Sequence, residues 1–332
     1  MKTPETYRII ERNKPDNFAR MDPAMKRALE HDIAGTRAIR DRVPEAAANE
    51  RLLYRLARRQ WNENPPPVFG KQDFVLEGPH GRLRVRLYRA DGIENNPCIL
   101  FFHGGGFMVG DVDTHDGIAS RLCAYSGANV VSVEYQLAPE YTHPVQLEES
   151  VFVTDYVREN AGLFHIDPQR LAYAGDSAGA FLSLCTYLHL RDMGRDVSFV
   201  KTLLLYYGTV GLADSASRRL YGGDWDGMTF YDLDRYEDVF FGGDKSVGAL
   251  IDRDFTEPMP ATYILACGLD PLLDDSRVLY EILCAKGHTA ELSVKEGYVH
   301  GFLHYSGMLP GAEEAIKESA EFFKRRIGKA GA

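Results

Sequence analysis

Residues 170–189 read Arg170-Leu-Ala-Tyr-Ala-Gly175-Asp-Ser177-Ala-Gly179-Ala-Phe-Leu-Ser-Leu-Cys-Thr-Tyr-Leu-His189. The run Leu171–Ala174 reads as a strand, and Ala178 to His189 as a helix. Between them stands Gly-x-Ser-x-Gly. A strand that turns at once into a helix leaves its middle residue on a tight turn where only small neighbours fit, hence a glycine on each side. The Ser177 hydroxyl then stands above the carboxyl edge of a sheet. The helix N-terminus beneath it supplies partial positive charge where negative charge would develop. A turn needed only for close strand–helix packing would use the same residues, so the rest of the chain has to decide between packing and chemistry.

Working outward, short apolar runs recur at Cys98–Phe102, Val130–Val133, Thr202–Tyr206, Tyr263–Ala266 and Ala290–Val294, separated by longer helical segments. This alternation predicts right-handed crossovers and a mostly parallel sheet covered by helices on both faces. Phe74–Leu76 and Arg82–Tyr88 alternate apolar and polar residues, which predicts an antiparallel pair. The expected fold is thus α/β with roughly eight strands. Residues 1 to about 62 read as helical, with apolar spacing strongest over Ala24–Glu30 and Glu45–Trp61. Pro65-Pro66-Pro67 then stops any helix and predicts an extended linker. Residues 209–256 break the rhythm. They mix acids (Asp214, Asp224, Asp226, Asp232, Asp234) with aromatics (Tyr221, Trp225, Phe230, Tyr231, Phe240, Phe241) and are too long for a plain crossover, as a lid would be.

Composition narrows the function. A net charge of −10 argues against wrapping nucleic acid and against binding anionic membranes. The five cysteines form no CxxC pair and mostly lie in apolar segments, which predicts buried thiols in a reducing compartment. The polar N-terminus has no apolar signal region, and no apolar run is long enough to span a bilayer, so a cytoplasmic protein is expected.

His103-Gly104-Gly105-Gly106-Phe107 closes the Cys98–Phe102 strand. Three successive glycines reach backbone conformations closed to other residues and turn N–H groups into a cleft, where an ester-derived oxyanion would be stabilised. Gly104, Gly105 and Gly106 with the N–H of Ala178 form the expected oxyanion hole, and Gly105, Gly106 and Ala178 are its expected donors. A phosphate loop is excluded because no G-K-[ST] follows. His103 is read as a structural hydrogen-bonding residue.

A serine nucleophile needs a histidine to take its proton and an acid to orient that histidine, in the chain order Ser, acid, His for such a sheet. His189 lies too far along the helix, and His288 sits in a solvated turn. His300, in Gly297-Tyr-Val-His-Gly-Phe302 after a strand, is the expected base, with His304 the alternative. Asp270, in Gly268-Leu-Asp-Pro-Leu-Leu-Asp274 at a strand tip, is the expected acid, with Asp274 the alternative. A His300/His304 metal pair has no third ligand in view, so no metal site is expected.

Together these stretches resemble the hormone-sensitive-lipase-like branch of the α/β-hydrolases, which includes bacterial acetyl esterases and carboxylesterases. The resemblance rests on His103–Phe107, Gly175–Gly179, Asp270-Pro-Leu272, His300-Gly-Phe302 and Tyr135-Gln-Leu-Ala-Pro-Glu140, and spans about residues 72–330. It implies an α/β-hydrolase fold, hydrolysis of short-chain acyl esters and no cofactor. It also implies a helical cap, which residues 1–70 and 209–256 fit, leaving 71–332 as the catalytic domain. By the same resemblance Asp176 neighbours the elbow structurally and Glu140 supports loops. Asp176 and Phe107 are expected to border the substrate. A homodimer is common in the family, though no segment here identifies its surface. Gln136, Glu134 and Ala180 replace the family's usual Arg, Asp and second Gly. Amide or peptide hydrolysis by the same triad, and an inert binding module of the same fold, are the rival readings.

Overall fold

The computed structural model describes residues 2–44 and 49–328. Four helices open the chain: α1 (Pro4–Asn13), α2 (Asn17–Arg20), α3 (Pro23–Arg42) and α4 (Glu50–Arg58). Asp22 starts α3 by accepting from the N–H groups of Ala24 and Met25, with Pro23 at the first turn. Met25, Ala28 and Leu29, spaced three and four apart, are its buried stripe. The helix expected over Glu45–Trp61 is α4 followed by a 3-10 turn at Arg59–Asn62, and residues 45–48 of it lie outside the described residues.

The strands are β1 (Gly70–Gly78), β2 (Gly81–Arg89), β3 (Asn96–Phe102), β4 (Asn129–Glu134), β5 (Ile166–Asp176), β6 (Val200–Tyr206), β7 (Ala261–Cys267) and β8 (Ala290–Lys295). They form one sheet in the order β1-β2-β4-β3-β5-β6-β7-β8. β2 runs antiparallel to β1 and β4, and every other pairing is parallel. The eight-stranded, mostly parallel sheet expected from the apolar runs is what the chain forms.

Helices α5 (Asp116–Ser126), α6 (Val145–Glu159), α7 (Ala161–Phe164), α8 (Ala178–Asp192), α11 (Leu273–Ala285) and α12 (Pro310–Arg326) are distributed around this sheet. Its two faces carry separate cores. One gathers Leu100, Phe102, Tyr173, Phe181 and Leu184, the other Phe101, Ile118, Ala174, Ile316 and Phe322. Alternation along each strand sends neighbours such as Phe101 and Phe102 to opposite faces. Helix α8 is apolar nearly all round because it lies inside the molecule, and each Leu or Phe buried there contributes about 2 kcal/mol.

Strand order decides where a site can form. From β3 the sheet grows one way to β4 and the other way to β5, so the loops leaving β3 and β5 diverge and open a crevice at their carboxyl ends. Above that crevice lies a roof of two pieces. One is the N-terminal helices. The other is residues 209–256, which contain α9 (Ala216–Leu220) and α10 (Phe230–Phe241). They are bonded to each other: Tyr7 Oη donates to Asp234 Oδ2 at 2.6 Å, and Asn17 Nδ2 to the Leu220 carbonyl at 3.0 Å. No described helix is long and apolar enough to cross a membrane.

Candidate active site

Ser177 sits between β5 and α8 with φ 52° and ψ −119°, a strained conformation for a residue with a side chain. The glycines around it are required by contact. A Cβ on Gly179 would come within 1.9 Å of the Phe102 carbonyl oxygen, and one on Gly175 within 2.3 Å of the Gly179 backbone. Ala180, where the family usually has a second glycine, fits because Gly208 opposite has no side chain. A Cβ there would lie 2.6 Å from the Ala180 methyl.

Asp270 and His300 reach Ser177 from the ends of β7 and β8. His300 Nδ1 lies 2.8 Å from Asp270 Oδ2, and His300 Nε2 lies 2.8 Å from Ser177 Oγ. An ionised carboxylate can only accept, so Nδ1 carries the proton and Nε2 accepts the serine hydroxyl. Asp270 is 1 % exposed, and its other oxygen accepts the Leu272 N–H at 2.8 Å, which fixes the carboxylate plane. Burial by itself would lower the His300 pKa, but the charge and hydrogen bond of Asp270 outweigh it and raise the imidazole above its ordinary value.

The alternatives lie elsewhere. Asp274, in the first turn of α11, accepts the Ser217 N–H at 2.8 Å and so ties the roof to that helix. His304 is buried, its Nε2 3.4 Å from Tyr54 Oη and its ring 4.6 Å from the His115 ring. Burial and the nearby Arg58 keep it well below the ordinary imidazole range. Its polar neighbours are His115 and Asp176, the three offering ligand atoms within 4.8 Å of one another.

The glycine loop follows β3. Gly105 and Gly106 have φ of 117° and 58°, and the Gly105 carbonyl accepts from the N–H groups of Met108 and Val109. Among the described residues the N–H groups of Gly105, Gly106 and Ala178 have no protein acceptor. Gly104 belongs to the loop without being one of these free donors. Its N–H donates to Asp176 Oδ1 at 2.9 Å, so it is already satisfied and unavailable to an oxyanion. The same bond engages the carboxylate of Asp176, a residue that also borders the cavity. That residue is 2 % exposed, and its carboxylate holds the glycine loop and faces His115 at 3.5 Å. Burial works against its charge, but His115 and the Gly104 N–H prevail and hold the carboxyl below its usual range. Tyr135 Oη donates to the His103 carbonyl at 2.6 Å, and the two rings stack 4.2 Å apart, in keeping with a structural His103. Phe107 borders the cavity with its ring stacked on Phe240.

Ser177 and His300 open into a cavity of about 1060 Å³, walled above by both roof pieces. Sequence reasoning did not single out its charged lining: Arg58 and Asp32 from the N-terminal helices, Arg218, Asp226 and Glu237 from residues 209–256. It also missed Arg51, which donates to the carbonyls of Met108 and Ala138 at 2.8 Å each and to Glu140, clamping α4 to the glycine loop. Only the excess of acids in residues 209–256 hinted at any of this.

The arrangement can be set beside known proteins. Among solved structures the chain is similar to an esterase of Pyrobaculum calidifontis. The two share 27% identity over 98% of this chain and 99% of that one, with a TM-score of 0.75. A thermophilic carboxylesterase cloned from a metagenomic library shares 26% identity over 86% of this chain and 100% of that one, with a TM-score of 0.80. An ester hydrolase from the metagenome of Lake Arreo shares 26% over 92% and 98%, with a TM-score of 0.82. The sequence profile described as alpha/beta hydrolase fold matches residues 99–304, more than half of the chain. With its elbow, sheet order and strand-tip loops, the chain belongs to the α/β-hydrolase-fold family.

Proposed function

We propose that the protein is a serine carboxylesterase that cleaves short-chain acyl esters through an acyl-enzyme. The observation that carries this is the unbroken line from Asp270 through His300 to Ser177, with 2.8 Å at each step. Similar structures belong to an esterase and a carboxylesterase, which supports the same activity. Ser177 Oγ attacks the ester carbonyl while His300 Nε2 takes its proton, and Asp270 stabilises the imidazolium that forms. The oxyanion is received by the N–H groups of Gly105, Gly106 and Ala178, each such donor contributing about 3 kcal/mol to the transition state. His300 then returns the proton to the leaving alcohol, and water releases the acyl group along the same path. The two roof pieces close over the cavity and limit the acyl length it can take, which supports short acyl groups.

The test is hydrolysis of p-nitrophenyl esters from acetate to palmitate, beside the matching acetanilide. The proposal expects a maximum at short chains and little anilide cleavage. Faster anilide than ester cleavage would make the protein an amidase. No cleavage of any ester by folded protein would leave a binding role.

A further inference from the structure

The cavity holds its charges unevenly. Three of the arginines lining it are matched: Arg58 faces Asp32 at 3.5 Å, Arg218 meets Glu237 at 2.9 Å, and Arg235 meets Glu50 at 3.2 Å. Arg40, the fourth, is exposed. Asp226 has the opposite problem, a carboxylate in the wall that no arginine or lysine pairs with among the described residues. Its Oδ1 accepts the N–H groups of Gly223 at 2.9 Å and Met228 at 3.0 Å, so the carboxyl is fixed in place. Its Oδ2 is buried and has no hydrogen-bond partner. Stapling the loop explains one oxygen and leaves the other unexplained, and a buried acceptor without a partner is a standing cost that a ligand could remove.

We propose that Asp226 selects esters of cationic amino alcohols by receiving the ammonium end of the leaving alcohol. This rests on the ester-hydrolase reading above and specifies its substrate class. The leaving alcohol takes its proton from His300, so it must lie on the His300 side of Ser177. Asp226 is on that side. Its loop packs against the residue that follows Asp270, since a Cβ on Gly222 would stand 3.1 Å from Pro271 Cγ, and the charges of Asp226 and His300 are felt by each other. Trp225 and Tyr236 border the cavity beside Asp226 and offer aromatic faces, which favour alkylammonium groups.

The titratable groups that face Asp226 are His300, Asp270, Cys267, Tyr236 and Tyr305, of which only a protonated His300 is a cation. In this setting burial pushes the Asp226 carboxyl up to about 7. A substrate ammonium would bring it back towards its ordinary acidity and keep it ionised.

Protonated 2-(dimethylamino)ethyl acetate, whose ammonium N–H can donate to Oδ2, and 3-methylbutyl acetate have nearly the same shape and differ in the charge of the alcohol. We expect wild-type kcat/KM to favour the ammonium ester by about tenfold or more, a preference of the size one partly screened charge pair supplies. In Asp226→Asn, which keeps an amide oxygen for the loop N–H groups, the ratio should fall to about one, whatever happens to each rate separately. A wild-type ratio near one, or a preference that persists in Asp226→Asn, overturns the assignment. Cleavage of the neutral ester is the separate check on the esterase reading. If folded enzyme cleaves neither acetate, that reading fails and this one with it.

Discussion

At the carboxyl edge of the sheet, each group of the site is held by buried backbone. Ser177 is fixed by the Gly175 and Gly179 contacts, Asp270 by the Leu272 N–H, and the glycine loop by Asp176 and Tyr135. The roof is built otherwise. Its two pieces meet through side chains such as Tyr7–Asp234 and Asn17–Leu220, and its inner wall carries ion pairs, Arg58–Asp32 and Arg235–Glu50 among them. Strain at Ser177 persists only because close-packed surroundings over-determine it. A roof held by polar contacts between separate segments can change its lining without disturbing the strands below. The comparison therefore assigns chemistry to the sheet edge and selectivity to the roof, and substitutions in the two regions should fail in different ways.

The largest effect belongs to the edge. Ser177→Ala should lower kcat by about 10⁶, with the thermal melt unchanged or raised as the strained hydroxyl-bearing elbow loses no packing. Residual activity near wild type would remove the edge from the chemistry altogether. Next comes Asp270→Asn, which should lower kcat by about 10⁴ through loss of the correct His300 tautomer. It also sets a pH test. His300 must be neutral to act as base and its pKa is raised by Asp270, so wild-type kcat/KM should fall as pH drops through a value above 6.5. In the Asn variant that fall should move to lower pH, and an unmoved limb in a pH–rate profile would contradict the assigned pairing. Tyr135→Phe removes one bond to the His103 carbonyl and should cost about 1 kcal/mol, a loss of roughly fivefold in kcat with little change in KM. The smallest effect lies in the roof. Tyr7→Phe gives up the bond to Asp234 and should lower stability by about 1 kcal/mol in urea melts while turnover stays within about twofold. A large loss of turnover there would show that roof and edge are one unit.

The two regions also differed in how far the sequence disclosed them. Strands buried on both faces must be apolar throughout, so Cys98–Phe102 and Thr202–Tyr206 marked β3 and β6 within a few residues. β1 extends well beyond Phe74–Leu76 because most of its residues are exposed and leave no apolar signature. Ser177, Asp270 and His300 stood out because each lies just past the carboxyl end of a strand, where the loops of such a sheet converge. The bond between the Gly104 N–H and the Asp176 carboxylate was not legible, because it joins residues 72 positions apart. Asp226 was one acid among several, since only the folded Gly223–Met228 loop gives it one satisfied oxygen and one free. Periodicity reports burial, and it says little about which polar group meets which.

The most direct test of the central claim is the intact mass of the protein after reaction with a fluorophosphonate, followed by peptide mapping. A single adduct on Ser177 is expected, formed quickly in the wild type and slowly in Asp270→Asn. No adduct on folded protein, or an adduct on another serine, would contradict it.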